Sequence, residues 1–163
     1  MRAAPVLGLA LLAGSSAAQQ PETMPTADFV LVDKSERILT LYAEGRPFRT
    51  IAGLQLGDQP QGHKRFQGDE RTPEGRYTID YANPGSSYWL SLHISYPDSE
   101  DRAYAEARGR SPGGAIFIHG QPNWLPAGRL PGDWTDGCIA LSNDEMDLLW
   151  RTVPDGTPIE IRP

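Results

Sequence analysis

The sequence predicts a mainly β single domain with two short helices. Three observations carry this. Short runs rich in Val, Ile, Leu, Thr and aromatic residues recur along the chain. Clusters of Gly, Pro, Asp and Asn separate them at roughly eight to twelve residue intervals, the spacing of a sandwich or barrel. Only two segments carry helix start signals.

Residues 19–26 read as a short flexible lead. Residues 29–32 form a β-rich run, 33–36 a turn, and 37–42 a returning strand, so the pair reads as a hairpin. A turn at 44–47 leads into a third strand over 48–54. Residues 57–73 are long, polar and Gly-rich, and a loop of that length in a compact domain is functional or disordered. The turn 72–75 leads into a strand at 76–79, and 88–95 alternates as another. Residues 97–99 cap a short helix over 100–108, with Gly109 as its stop. The apolar run 116–118 is a strand ending at His119. Ser142 and Glu145 have capping-box spacing and open a helix through Arg151, with Met146, Leu149 and Trp150 on one face. Residues 157–161 close the chain as a strand.

The N-terminus has the form of a cleaved secretory signal over residues 1–18. Arg2 supplies a positive charge, residues 3–13 are apolar, and Ser16 and Ala18 suit a signal-peptidase site. The apolar run is too short to span a bilayer, which takes roughly 20 residues, so no stable membrane insertion is expected after cleavage. The chain beyond residue 18 is long enough for one domain with its own core. The formal net charge of −6 argues against nucleic acid as a partner, because phosphate binding needs a basic field. No metal-ligand spacing, phosphate loop or other cofactor motif is present.

Cys138 is the only cysteine in 163 residues. An exported chain with one cysteine forms no internal disulfide. The thiol is therefore buried and inert, paired with another chain, or reactive. Its setting favours reactivity. A cysteine nucleophile needs a neighbouring base and donors for a developing oxyanion. His119 can hold the thiol proton and return it to a leaving amine. Gly137 lets the backbone turn tightly, so the Gly137 and Cys138 amides can face a carbonyl oxygen. The Gly120 carbonyl can orient the imidazole, as a third member does in other triads. A reactive thiol would label well below its reference pKa of roughly 8.5.

Beyond this set, His93 is a second-shell partner of the site, the base itself, or a half-buried structural residue. His63, in a polar loop, reads as solvated. Asp136 hydrogen-bonds a neighbouring amide or an imidazole, or simply shapes the turn 134–137. Trp124 and Trp134 wall a cleft or fill the core. Lys64, Arg65 and Arg71 cluster, and a basic pocket would suit a substrate carrying several carboxylates.

The segment 134–141 around Cys138, with His119-Gly120 upstream, resembles the signature of the L,D-transpeptidase catalytic domain, the YkuD-type family: His-Gly, a spacer, then Ser or Thr, His, Gly, Cys and an apolar residue. Thr135, Gly137, Cys138 and Ile139 match, and fifteen residues, 120–134, separate His119 from Thr135. Lys64 and the segment 68–77 resemble the family's upstream block, a Lys before a Thr-Pro-x-Gly turn. The likeness covers about 28–161 and sets residues 27–162 as the catalytic domain. Asp136 stands where the family has His, and Ala140 where Arg or Asn is common. These variants, with 91–97, resemble a periplasmic subgroup, some of whose members hydrolyse rather than transfer.

The resemblance implies a mixed β-sandwich located in the periplasm and acyl transfer on peptidoglycan stem peptides. Cys138 would attack the diaminopimelate carbonyl, release a D-amino acid and form a thioester. An amine of another stem, or of a wall-linked lipoprotein lysine, would resolve it as a transpeptidase. Water would make the enzyme a carboxypeptidase or endopeptidase. Thr135, Lys64, Arg71, Trp134, His93 and Asp136 would bind substrate or support the site. The competing class is a wall-binding module that keeps the fold without catalysis.

Overall fold

The structure is a computed structural model and describes residues 24–163. The expected signal segment 1–18 and most of the expected lead 19–26 lie outside these residues. The elements in chain order are β1 (Phe29–Asp33), β2 (Ile38–Ala43), β3 (Arg46–Ala52), β4 (Gly75–Asn83), β5 (Ser91–Ile94), α1 (Ser99–Glu106), β6 (Ile116–His119), β7 (Ile139–Ala140), α2 (Asn143–Thr152) and β8 (Thr157–Arg162). They build one eight-stranded sheet in the order β3-β2-β1-β8-β4-β5-β6-β7. β1 runs parallel to β8 and β6 parallel to β7, and the other neighbours are antiparallel.

The expected mainly β, mixed fold with two short helices is what forms. Its layers come from one sheet that curls. The register shifts in β2 after Leu41 and in β4 after Ile79, and such irregularities bend a strand and increase its twist. The chain leaving β3 then meets the opposite edge of the sheet. Gln55 N–H donates to Ala140 O at 3.1 Å and Ala140 N–H donates to Gln55 O at 2.8 Å. Gly57 forms a parallel bridge with Thr135 alongside.

Alternation sets what is buried. Val30 and Val32 of β1, Ile159 and Ile161 of β8, Tyr77 and Ile79 of β4, and Ile116 and Ile118 of β6 face the core. α2 packs on β5 and contributes Met146 and Leu149, with Trp150 partly buried against the same cluster. Each such aliphatic side chain contributes roughly 1.5–3 kcal/mol on burial.

Both helices start at the expected caps. Asp98 accepts from the Glu100 and Asp101 amides, and Ser142 and Glu145 form a reciprocal capping box. β4 extends beyond the expected 76–79 because its first half pairs with β8 and its second half with β5. Residues 88–90 stay outside β5 and form a bend above it. β7, two residues long, has no alternation to read, and pairing with Ile118 and His119 creates it.

The long loop is organised around buried charges. Lys34 Nζ donates to Gly62 O, Thr72 O and Glu74 Oε1. The Asp69 carboxylate accepts from Lys64 Nζ and from the Arg65, Phe66 and Arg71 amides. His63 is not solvated: its Nδ1 accepts from Glu74 N–H and its Nε2 meets Asp101 Oδ1, both at 2.8 Å. Among the described residues no helix is long and apolar enough to cross a membrane.

Candidate active site

β6 and β7 place the thiol and the imidazole. The parallel register sets Ile118 beside Ile139 and His119 beside Ala140. One step back, Cys138 lies level with Phe117, whose N–H donates to Sγ at 3.3 Å. Residues at i and i+2 share a face, so Phe117, His119 and Cys138 all point to the same side of the sheet. Cys138 and His119 are diagonal neighbours, one strand (~4.8 Å) across and two residues (~6.6 Å) along. Both line one cavity of about 500 Å³, together with Tyr88, Trp134, Thr135 and Asp136. Ile139 and Leu141, fully buried, anchor the segment that carries the thiol.

His119 is 4% exposed. Its Nδ1 lies 2.7 Å from Gly120 O. A carbonyl only accepts, so Nδ1 carries the proton and Nε2 is left as the free acceptor. The ring sits between Tyr88, 4.7 Å away by centroids, and Trp134, 5.6 Å away. Burial holds its pKa below the usual imidazole value, and the Gly120 bond opposes this only in part. It is therefore neutral at neutral pH.

Cys138 is half-buried. Burial pushes its thiol up to about 11, and the Asp136 carboxylate adds to the rise, while the Phe117 N–H and the Lys64 charge oppose it. Sγ approaches Ala115 O at 3.6 Å. No hydrogen bond joins it to the His119 ring. Burial thus favours a neutral thiol beside a neutral imidazole at rest. Ala115, whose carbonyl faces the sulfur, has φ +54°, a left-handed conformation costing roughly 1–2 kcal/mol outside glycine.

The turn before the thiol is fixed from both sides. Thr135 Oγ1 donates to Cys138 O at 2.7 Å and accepts from Gly137 N–H at 3.2 Å. Gly137 has φ +120°, and a Cβ there would collide with the Arg71 carbonyl. The Gly137 amide is thus engaged inside the turn and does not face a substrate oxygen, contrary to the sequence expectation. The Cys138 amide has no backbone acceptor among the described residues. At Gly120 a Cβ would lie 2.6 Å from Asn143 Oδ1 and 2.7 Å from Trp89 Cβ, so only glycine lets β6 end where it does.

The remaining expected residues divide. Asp136 is exposed and lines the cavity. Trp134 lines it as well, with its indole N–H buried and unpartnered. Trp124 is 72% exposed and belongs neither to the core nor to the cavity wall. His93 lies opposite Phe117 in β5, hydrogen-bonded to Asp80 at 2.6 Å and stacked on Tyr81, outside the cavity lining. Lys64 is 2% exposed and engaged by Asp69 and Phe66 O, so it offers no basic pocket. The Arg71 side chain also lies outside the lining, and that residue acts through its backbone against Gly137. Sequence reasoning missed Tyr88, Ser91 and Asn83 as cavity residues. Tyr88 had no signal beyond strand propensity, because the bend that turns it over His119 is tertiary.

The segment between His119 and Cys138 is held by polar groups. Gln121, fully buried, donates to Gln55 Oε1 and Leu141 O and accepts from Leu130 N–H. Arg37 makes a two-pronged pair with Asp133, both at 2.7 Å.

Fold and pocket together define a curled mixed sheet with an imidazole at the end of one strand and a thiol just before its parallel neighbour. The chain belongs to the L,D-transpeptidase catalytic domain family (YkuD), whose model matches residues 27–161. It is similar to the helical cell shape determining protein Pgp2 of Campylobacter jejuni, at 30% identity and TM-score 0.67, over 85% of this chain and 49% of that one. It is 26% identical to YafK of Escherichia coli (strain K12), over 91% of this chain and 59% of the relative. The L,D-transpeptidase of Xylanimonas cellulosilytica DSM 15894 shares the fold at TM-score 0.55 and 20% identity, over 89% of this chain and 64% of that one. The chain thus spans about half to three-fifths of the length of Pgp2 and YafK.

Proposed function

We propose that this chain is a periplasmic cysteine acyl-transfer enzyme acting on peptidoglycan stem peptides, with Cys138 as nucleophile and His119 as base. The observation that carries the reading is the shared cavity. The thiol and an imidazole with its Nε2 free face the same space of about 500 Å³. Family membership supports peptidoglycan as the substrate class.

The charge states dictate the order of events. A thiol pushed up to about 11 beside a buried neutral imidazole does not form a standing ion pair. Proton transfer from Sγ to His119 Nε2 therefore accompanies attack on the diaminopimelate carbonyl. The Phe117 N–H supports the developing thiolate, and the Cys138 N–H is available to the oxyanion. Nε2 then protonates the departing nitrogen of a D-amino acid and leaves a thioester. An amine, from another stem or a lipoprotein lysine, or water resolves it. The likeness to Pgp2, named for determining helical cell shape, supports a role in cell shape. The charged N-region, apolar stretch and small residues over 1–18 support export.

The test is mass spectrometry of tetrapeptide-stem and lipoprotein-linked fragments incubated with the protein and with Cys138→Ala. Cross-links or amine exchange that require Cys138 establish a transpeptidase. Shortened stems or freed lipoprotein without new bonds establish a hydrolase. No change on any fragment with folded protein overturns catalysis in favour of a wall-binding module.

A further inference from the structure

The Cys138 cavity has an uneven charge. Among the described residues no Lys or Arg lines it, and Asp136 is the one lining residue charged at neutral pH once His119 and Cys138 are neutral. The Asp136 carboxylate makes no side-chain hydrogen bond or ion pair among the described residues, and it lies close enough to the thiol to oppose its ionisation. The nearby cations are turned elsewhere: Lys64 to Asp69, Arg37 to Asp133 and Arg129 to Glu145, while Arg71, with no ion pair among the described residues, sets its guanidinium against Gly62. The position two beyond the thiol offers none either, since Ala140 is fully buried in its bridge to Gln55.

An unpaired carboxylate at the rim of an otherwise uncharged cavity attracts ammonium groups and repels carboxylates. We propose that Asp136 selects the amine exchanged at Cys138 by charge, favouring an ammonium with no carboxylate beside it over a free amino acid. This rests on the acyl-transfer reading and narrows its partner to a carboxylate-free primary amine, such as a side-chain amine. In acylation the carbon–sulfur bond forms and the carbon–nitrogen bond breaks, and the thiol proton passes through His119 Nε2 to the departing nitrogen. The released amine takes a second proton from water and pairs with Asp136 as ammonium. In the reverse direction that ammonium gives one proton to solvent and, as it attacks the thioester, one to Nε2, which returns it to sulfur.

The experiment compares D-alaninamide with D-alanine, nearly isosteric amines that differ in the carboxylate. Both are offered to the Cys138 thioester formed from a tetrapeptide-stem fragment. Intact-protein mass spectrometry reads acylation, and product mass reads the choice of amine. Wild-type protein should prefer the amide up to about fivefold more than Asp136→Asn does, because both amines carry the ammonium and only repulsion of the carboxylate, with the strength of a surface charge pair, separates them. Asp136→Asn should lower the ratio to the value set by the basicity of the two amines, and Asp136→Lys should lower it further. Asp136 is exposed, so both variants are expected to fold. Acylation with an amide preference that is unchanged in both variants overturns the proposal alone. No acylation of Cys138 in folded wild type overturns the acyl-transfer reading with it.

Discussion

At the scale of single residues, the site stores protons rather than charges. Burial lowers the His119 pKa from its ordinary 6.5. A base whose folded pKa is depressed contributes stability above its unfolded value and loses it as pH falls. Stability should therefore decline on acidification below 6.5, and His119→Gln should flatten that decline in denaturation curves taken across pH. Alkylation of Cys138 in the free protein should keep rising with pH towards about 11, because the buried thiol ionises only there. Asp136→Asn should shift that profile to lower pH by removing a repelling carboxylate. A plateau already at neutral pH would mean a thiolate partner that this geometry lacks. Gly137→Ala forces a Cβ against the Arg71 carbonyl at a backbone conformation side chains avoid. It should cost roughly 1–3 kcal/mol and abolish acylation, as read by urea denaturation and intact mass.

At the scale of elements, the connection between β6 and β7 matters more than either strand. Gln121 ties it to Gln55 and to the chain after the thiol. Gln121→Leu leaves the Leu130 amide and the Leu141 carbonyl without this partner. Each unsatisfied buried group costs roughly 1–3 kcal/mol. The variant should melt earlier and acylate more slowly, with no change in the pH profile of thiol labelling. The strands and caps were legible in the sequence because alternation and capping are local. Asp98, Ser142 and Glu145 are placed by neighbours within three residues. β7 and the bend over 88–90 were not legible, since partners far along the chain create them. That His119 and Cys138 share one cavity could be read from motif order. The withdrawal of Lys64 and His93 from the cavity could not, because their partners, Asp69 in the loop 57–73 and Asp80 on β4, are chosen only when the chain folds.

At the scale of the whole molecule, the cavity is lined from the end of β4, from β5 and β6 and from the segment before β7, towards one edge of the curled sheet, while β8 runs through its interior. Ile159, 1% exposed on β8, is not part of the cavity lining. Ile159→Ala should cost roughly 2–5 kcal/mol in denaturation and leave the acylation rate unchanged well below the melting transition. Loss of acylation at full folding would mean that the edges of the sheet are strained from its middle. The His119 ring owes its orientation to the main-chain oxygen of Gly120, not to a side chain. That partner has no codon of its own. Point mutation can crowd it or move it, but no exchange of one acid for another can delete it or tune its charge. Proton affinity at this histidine is therefore set by folding itself, and variation in reactivity among homologous sequences must enter through the walls of the cavity.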